Sequence, residues 1–231
     1  MPLDGAVHGR IDDQLPETGM RKIKAQLFMS LDGVVEAPDQ WHFPYFDEDM
    51  GAAVDATLGR ADTLLLGRRT YDSFAGAWPG REAAGGEDAP FAEVLGDARK
   101  IVVSNSRLDF TWRNSEQLVG DLTTAVAALK NEPATDTPVW ISGSVSVVRQ
   151  LVAAGLLDEL NLLLHPIAVR NGMRLFEEDA PAIPLELLSA ATFRTGVLNA
   201  LRCFPSALAG LGRPHGTGRP GLTRQDPKET A

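Results

Sequence analysis

Short apolar runs alternate with amphipathic segments from Lys22 to Ala207, the pattern of a sheet covered by helices. The strand candidates are Ile23 to Ser30 (IKAQLFMS), Thr63 to Gly67 (TLLLG), Lys100 to Ser104 (KIVVS), Val139 to Ser142 (VWIS) and Glu159 to His165 (ELNLLLH). The last four are short and continuously apolar, as strands buried on both faces are. Leu185 to Phe193 and Val197 to Phe204 flank Thr195-Gly196 and predict a C-terminal antiparallel hairpin whose glycine can take a positive φ. Helices are predicted over Asp47 to Arg60, where Met50, Val54 and Leu58 share a face, over Leu122 to Asn131, and over Ser144 to Ala154. In the last, Val148, Leu151 and Val152 point inward and Gly155 stops the helix. The expected fold class is therefore α/β with a mixed sheet.

The ends lack this order. Residues 1–20 are polar with Gly and Pro and carry no hydrophobic period, and the stretch from Pro205 onward is rich in Gly, Pro and Arg, so both read as flexible tails around one domain over 21–207. The whole chain of 231 residues has 31 acidic and 22 basic side chains, a net charge of −9. That balance offers no basic surface for a phosphate backbone, so nucleic acid is not an expected partner. No apolar run is long enough to span a bilayer, and the N-terminus has no basic region followed by an apolar one. Membrane contact is not expected and a cytoplasmic location is. The single Cys203 excludes an intramolecular disulfide and a cysteine-rich zinc site; it reads as a buried strand thiol. His8, His42, His165 and His215 are scattered without metal-ligand spacing, so no metal is expected, and His165, before Pro166 at a strand end, reads as structural.

Two strand-to-helix junctions are candidates for chemistry, because a helix N-terminus presents unpaired N–H groups and partial positive charge to an anion. In LLLGRRTYDSF, Gly67 allows a tight exit from the strand, Arg68 and Arg69 can contact phosphate, and Thr70 can cap the following turn. In VWISGSVSVVRQL, Gly143 permits close backbone approach, and the N–H groups of Ser144, Val145 and Ser146 can face a pyrophosphate. Taken singly, each is also ordinary helix capping. Together they favour a dinucleotide. A Rossmann dehydrogenase is disfavoured, since SLDGVVEAPDQW rather than a G-x-G-x-x-G run follows the first strand. The serines lack the G-x-S-x-G elbow of a hydrolase.

The order SLDG, LLLGRRTYDSF, KIVVSNS and WISGSVSVVRQLVAAGLLDELNLLLHPIAVRNGMRLF closely resembles the dihydrofolate reductase-like family that includes the reductase domain of the bifunctional riboflavin-biosynthesis deaminase-reductase. The resemblance covers roughly Lys22 to Pro205 and implies a three-layer fold, a central mixed and mainly parallel sheet flanked by helices, an NADPH site and a homodimer. It implies that Arg68 stands beside the adenosine 2′-phosphate, with Arg69 and Thr70 near the diphosphate and Ser104 at the other edge of the adenosine site. Gly143 and Ser144 occupy the place of the family's paired glycines, with serine where the second glycine is usual.

The loop after SLDG and the start of the next helix form the expected substrate wall. Trp41, Phe43, Tyr45 and Phe46 suit stacking on a planar heterocycle, and a carboxylate among Asp32, Asp47, Glu48 and Asp49 can pair with its edge and help deliver a proton. In dihydrofolate reductases an acid at the start of this helix has that role. Counting back from GRRTY favours Asp49, helical spacing favours Asp47, and both stay open beside plain helix capping; Asp32 also reads as a turn residue before Gly33. The expectation is an NADPH-dependent reductase of a small planar heterocycle, a pterin, pyrimidine or similar ring. The alternative is a non-catalytic NADPH-binding or dimeric interaction protein that kept the fold.

Overall fold

The computed structural model describes residues 20–132, 137–177 and 179–205; the tails expected at the two ends fall almost wholly outside them. Eight strands form one sheet in the order β4-β3-β2-β5-β1-β6-β8-β7. They are β1 (Ile23–Ser30), β2 (Thr63–Gly67), β3 (Arg99–Val103), β4 (Ser115–Gln117), β5 (Val139–Ser142), β6 (Glu159–His165), β7 (Glu186–Thr192) and β8 (Leu198–Cys203). All neighbours from β4 to β6 pair in parallel, and β8 runs antiparallel to both β6 and β7. The sheet is thus mixed and mainly parallel, with the C-terminal hairpin at one edge.

Helices cover both faces of the parallel part. On one face α4 (Leu122–Lys130) and α5 (Val145–Ala153) bury Val126, Val147, Val148 and Leu151 against Ile23, Ala25, Ile141 and Leu160. Each such side chain contributes about 1.5–3 kcal/mol on leaving water. On the other face α2 (Arg68–Ala84) and α3 (Ala89–Asp97) pack Tyr71 and Leu95 on Leu64, Leu66, Val102 and Trp140. On that same side α1 (Glu48–Asp55) sets Met50 against Leu163, Phe193 and Val197. No described helix is long and apolar enough to cross a membrane.

Two expectations need correction. The helix predicted over Asp47 to Arg60 breaks: α1 stops at Asp55, and a separate 3-10 turn spans Leu58–Arg60. The break falls at Thr57, whose single hydroxyl proton has Gln26 Oε1 on β1 at 2.9 Å as one acceptor and the carbonyls of Ala53 and Val54 as the alternatives, an option that competes with continued helix. The helix expected to start beyond Gly67 is the seventeen-residue α2, and Thr70 does not cap it. Its sequence contains Gly76, Pro79 and Gly80, poor helix formers, yet Tyr71, Phe74, Ala75 and Trp78 recur at i, i+3, i+4 and i+7 and all join the core.

One buried cation organises the end of α3. Lys100 on β3 is fully buried, and its Nζ donates to the carbonyls of Leu95, Gly96 and Ala98 at 2.8, 2.8 and 2.7 Å. Those are terminal carbonyls that no intrahelical N–H reaches, and the positive charge sits at the negative end of the helix dipole. The ammonium also lies 4.3 Å from the centroid of Trp112.

Candidate functional site

The sheet's register creates a notch at the carboxyl ends of the strands. β1 pairs with β5 only as far as Gln26 opposite Ser142, whereas it pairs with β6 as far as Ser30 opposite His165. From Leu27 to Ser30, β1 therefore has no strand partner on the β5 side, a length of about 13 Å at about 3.3 Å per residue. The neighbours β2 and β5 send α2 and α5 to opposite faces, the arrangement that opens a crevice at the carboxyl edge of an α/β sheet.

Both glycine-containing junctions meet at this notch. The Gly67 N–H donates to Ser144 Oγ, and Ser144 Oγ–H donates to Thr70 Oγ1 at 2.9 Å. Gly143 approaches Thr70 so closely that an added Cβ would lie 3.3 Å from its hydroxyl oxygen. Gly143 and Ser144 take successive left-handed conformations, at φ 82° and 58°. A serine there costs on the order of 1 kcal/mol, which its two hydroxyl bonds offset. The side chain is thus turned into the seam between the junctions. Thr70 does not cap α2, whose N-cap is Gly67; its hydroxyl joins α2 to the α5 junction instead. At the start of α5 the N–H groups of Val145 and Ser146 have no hydrogen-bond partner among the described residues.

The cations expected here lie on the rim. Arg68 bonds Asp72 at 3.2 Å and Ser106 Oγ at 3.0 Å, which brings it to the loop after β3. Ser104 closes that loop by donating to the Ser106 carbonyl at 2.8 Å. Arg69 is exposed and makes no hydrogen bond or ion pair with the described residues; neither does Arg107, which the sequence reading passed over although it follows directly in SNSR. The rim is locally basic on an acidic chain.

Across β1, residues 31–36 clasp the loop after β6. Leu31 N–H donates to the Ile167 carbonyl, Val35 N–H to that of Met173, and Leu175 N–H to that of Gly33, each at 2.8–3.0 Å. Asp32 ties the clasp: its carboxylate accepts from Ser30 Oγ at 2.7 Å, Val169 N at 3.0 Å and Arg170 N at 2.8 Å. The Ser30 bond foremost, joined by the Arg170 and Val169 N–H donors, outweighs the opposing desolvation and holds its pKa below the usual carboxylate value. Asp32 is a loop anchor.

The other two acids diverge. Asp47 is the N-cap of α1, with Oδ1 accepting from Met50 N at 3.0 Å, while its Oδ2 is buried without a partner. Asp49 faces the β7–β8 turn, 3.6 Å from Arg194 Nε. The aromatic residues form a layered lid. Trp41 is buried, its Nε1 donating to the Glu36 carbonyl at 3.0 Å, whereas Phe43 and Phe46 are 60% and 49% exposed. Beneath them His42 stacks on Phe28 at 4.6 Å, and His165 receives the edges of Phe28, Trp41 and Tyr45 at 5.1–5.7 Å. The sequence reading set both histidines aside, and no local period could have paired them. Two open hollows around Asp62 and Asp97 lie at the opposite, amino end of β2 and β3, with no helix N-terminus facing them. Cys203 is half-buried on β8.

The model of the RibD C-terminal domain matches residues 21–199. The chain belongs to that family. It is 28% identical over 180 residues to the protein named "Uncharacterized protein YyaP" of Bacillus subtilis (strain 168), covering 77% of this chain and 92% of the relative. Among solved structures, a putative riboflavin biosynthesis protein from Shewanella sp. PV-4 superposes with a TM-score of 0.61 at 16% identity, covering 80% of this chain and 99% of that one. A pyrimidine reductase-like protein from Corynebacterium diphtheriae gives 0.54 at 18% identity, covering 80% and 92%. RibD of Acinetobacter baumannii gives 0.56 at 14%, covering 81% of this chain and 59% of that one. At these identities the structures speak for the fold alone, the mixed and mainly parallel α/β architecture expected from the motifs.

Proposed function

We propose that this protein is a reductase that uses NADPH to reduce a small planar nitrogen heterocycle of the pyrimidine or pterin type. The observation that carries this reading is the contact between the two strand–helix junctions at a notch with an arginine rim on one side and an aromatic lid on the other. The residues present fit a dinucleotide: unpartnered N–H groups at Val145 and Ser146, backbone approach at Gly143, and uncommitted guanidinium groups at Arg69 and Arg107. Arg68, held beside Ser104 and Ser106, binds the 2′-phosphate, and Arg69 and Thr70 attend the diphosphate. Bound NADPH would supply the hydride from its nicotinamide ring. Reduction of a ring C=N places that hydride on carbon and a proton on nitrogen, and Asp47, whose Oδ2 is buried and uncommitted, carries the proton. Phe43 and Phe46 stack on the ring, and the buried Trp41 fixes the lid beneath them. Family membership and the name of one related structure, a pyrimidine reductase-like protein, support this class of activity. A cytoplasmic setting belongs to the same proposal.

Titration with NADPH and NADH, followed by nicotinamide fluorescence, tests the cofactor assignment; absence of binding by either sinks it. Arg68→Ala is expected to weaken NADPH by roughly 10- to 150-fold, the 1.5–3 kcal/mol of a charge-assisted hydrogen bond, and to leave NADH unchanged. Its ion pair with Asp72 is exposed, so stability should barely move. Equal loss for both nucleotides would place the 2′-phosphate elsewhere.

We further propose a homodimer through β7. All seven residues of this edge strand are exposed, including Leu187 at 54% and Leu188 at 51%, and no Lys or Pro guards the edge. Light scattering should give a dimer for the native chain and a monomer for Leu188→Lys; a native monomer would refute the assignment.

A further inference from the structure

The mechanism above leaves two buried histidines unused. His42 is 7% exposed and His165 is fully buried, with ring centroids 6.3 Å apart. The Nδ1 atom of His42 and the Nε2 atom of His165 are both buried without a hydrogen-bond partner. An orphaned polar atom of this kind costs about 1–3 kcal/mol, and here two occur side by side in an otherwise aromatic box.

The tautomer of His165 follows from the bond at Nδ1. Nδ1 lies 2.8 Å from the Leu163 carbonyl, and a carbonyl can only accept, so Nδ1 carries the proton. Burial lowers the pKa of both rings; the backbone bonds of His165 oppose this in part, His165 lowers His42 further, and Asp39 opposes. Both imidazoles are therefore neutral near pH 7, and His165 presents a bare Nε2 lone pair inside the lid.

Position adds the second argument. His165 pairs in register with Ser30 of β1, so it lies one strand spacing, about 4.8 Å, behind the open edge of the notch. Above the pair, Phe43 and Phe46 lie 4.2 and 5.9 Å from the His42 ring, and both are solvent-exposed side chains. The result is an apolar rim over a polar floor, on the β6 side of the unpaired stretch of β1.

We propose that His42 and His165 recognise the acceptor ring: His165 Nε2 accepts a hydrogen bond from a ring N–H, and His42 Nδ1 makes a second polar contact. The inference rests on the reductase reading for its location and goes beyond it by naming the recognised edge. A neutral acceptor at His165 in an apolar box selects a neutral planar ring with an N–H edge, of the lactam or ureide kind, and rejects its N-alkylated analogue, whose methyl groups would leave that nitrogen orphaned.

The test uses the full chain labelled with 15N-histidine, which has four imidazoles, two of them in the tails. His8→Ala and His215→Ala variants assign the tail signals. Before ligand, His165 should read as the Nδ1–H tautomer. Added 6-aminouracil, with and without saturating NADPH, should move the His165 Nε2 and His42 Nδ1 signals toward hydrogen-bonded values, and 1,3-dimethyluracil should not. His42→Phe keeps the stack on Phe28, so it should leave the melting temperature unchanged or raise it while weakening 6-aminouracil by roughly 2- to 10-fold, one neutral hydrogen bond. Unmoved histidines at millimolar 6-aminouracil, equal shifts with the dimethyl compound, or a His42→Phe variant that loses stability but not affinity would overturn the proposal. Histidine shifts without nucleotide binding would leave this recognition pair standing and remove the reductase reading; nucleotide binding without histidine shifts would do the reverse.

Discussion

Asp47→Asn is expected to lower kcat by about 10²- to 10⁴-fold, the usual worth of a positioned general acid, while NADPH affinity stays unchanged. The substitution is chosen because asparagine caps a helix as well as aspartate. The bond from Met50 N to the side-chain oxygen survives, α1 keeps its start, and the loss is confined to the proton at Oδ2. Asp49→Asn breaks only an exposed ion pair with Arg194 and should leave kcat within about twofold. Asp32→Asn should act on the clasp, loosening the loops around Val169 and Arg170 and destabilising the fold before any chemistry is affected. Single-turnover rates with NADPH and a screened heterocycle, read beside thermal melts, separate the three. Full activity in Asp47→Asn would transfer the proton delivery to an ordered water.

Lys100→Met should reduce the unfolding free energy by at least roughly 2 kcal/mol. The methionine fills the space of the lysine stem but donates nothing, so the Leu95 and Ala98 carbonyls lose their side-chain donor, each at about 1 kcal/mol or more, while the Gly96 carbonyl keeps Asn114 Nδ2. Denaturant titration measures the loss, and an unchanged midpoint would mean that water replaces the ammonium. The pH dependence has a definite sign. Burial, with Arg113 adding to it and Asp97 and Glu82 opposing, brings the Lys100 pKa down from 10.5 to about 8. Between those values the unfolded chain holds a proton that the folded chain has released, so this group's contribution makes stability rise with pH from about 8 to 10.5. The Met variant lacks that rise. The difference between the two pH profiles isolates it from the tyrosines and other lysines, which titrate in both proteins.

The sheet was largely legible in the sequence. The bounds of β1, β2, β5 and β6 are those expected from the sequence, because a central strand buried on both faces is largely apolar and such a run ends where the next junction begins. The antiparallel hairpin was legible from Thr195-Gly196, whose glycine does take positive φ. The start of α2 was legible at the Gly67 junction, but its length was hidden by Gly76, Pro79 and Gly80; tertiary packing of Tyr71 and Trp78 outweighs that poor propensity.

By itself the sequence determined the α/β class, most strand positions and the two glycine junctions, since each is encoded by a local period or a local backbone requirement. Only the tertiary structure decided that Ser144 bridges to Gly67 across 77 residues, that Asp32 is spent on a clasp with Arg170 across 138, and that His42 and His165 share one box. Such contacts depend on strand order and register, which no window of sequence contains, because the free energy that fixes them is shared over the whole packed sheet.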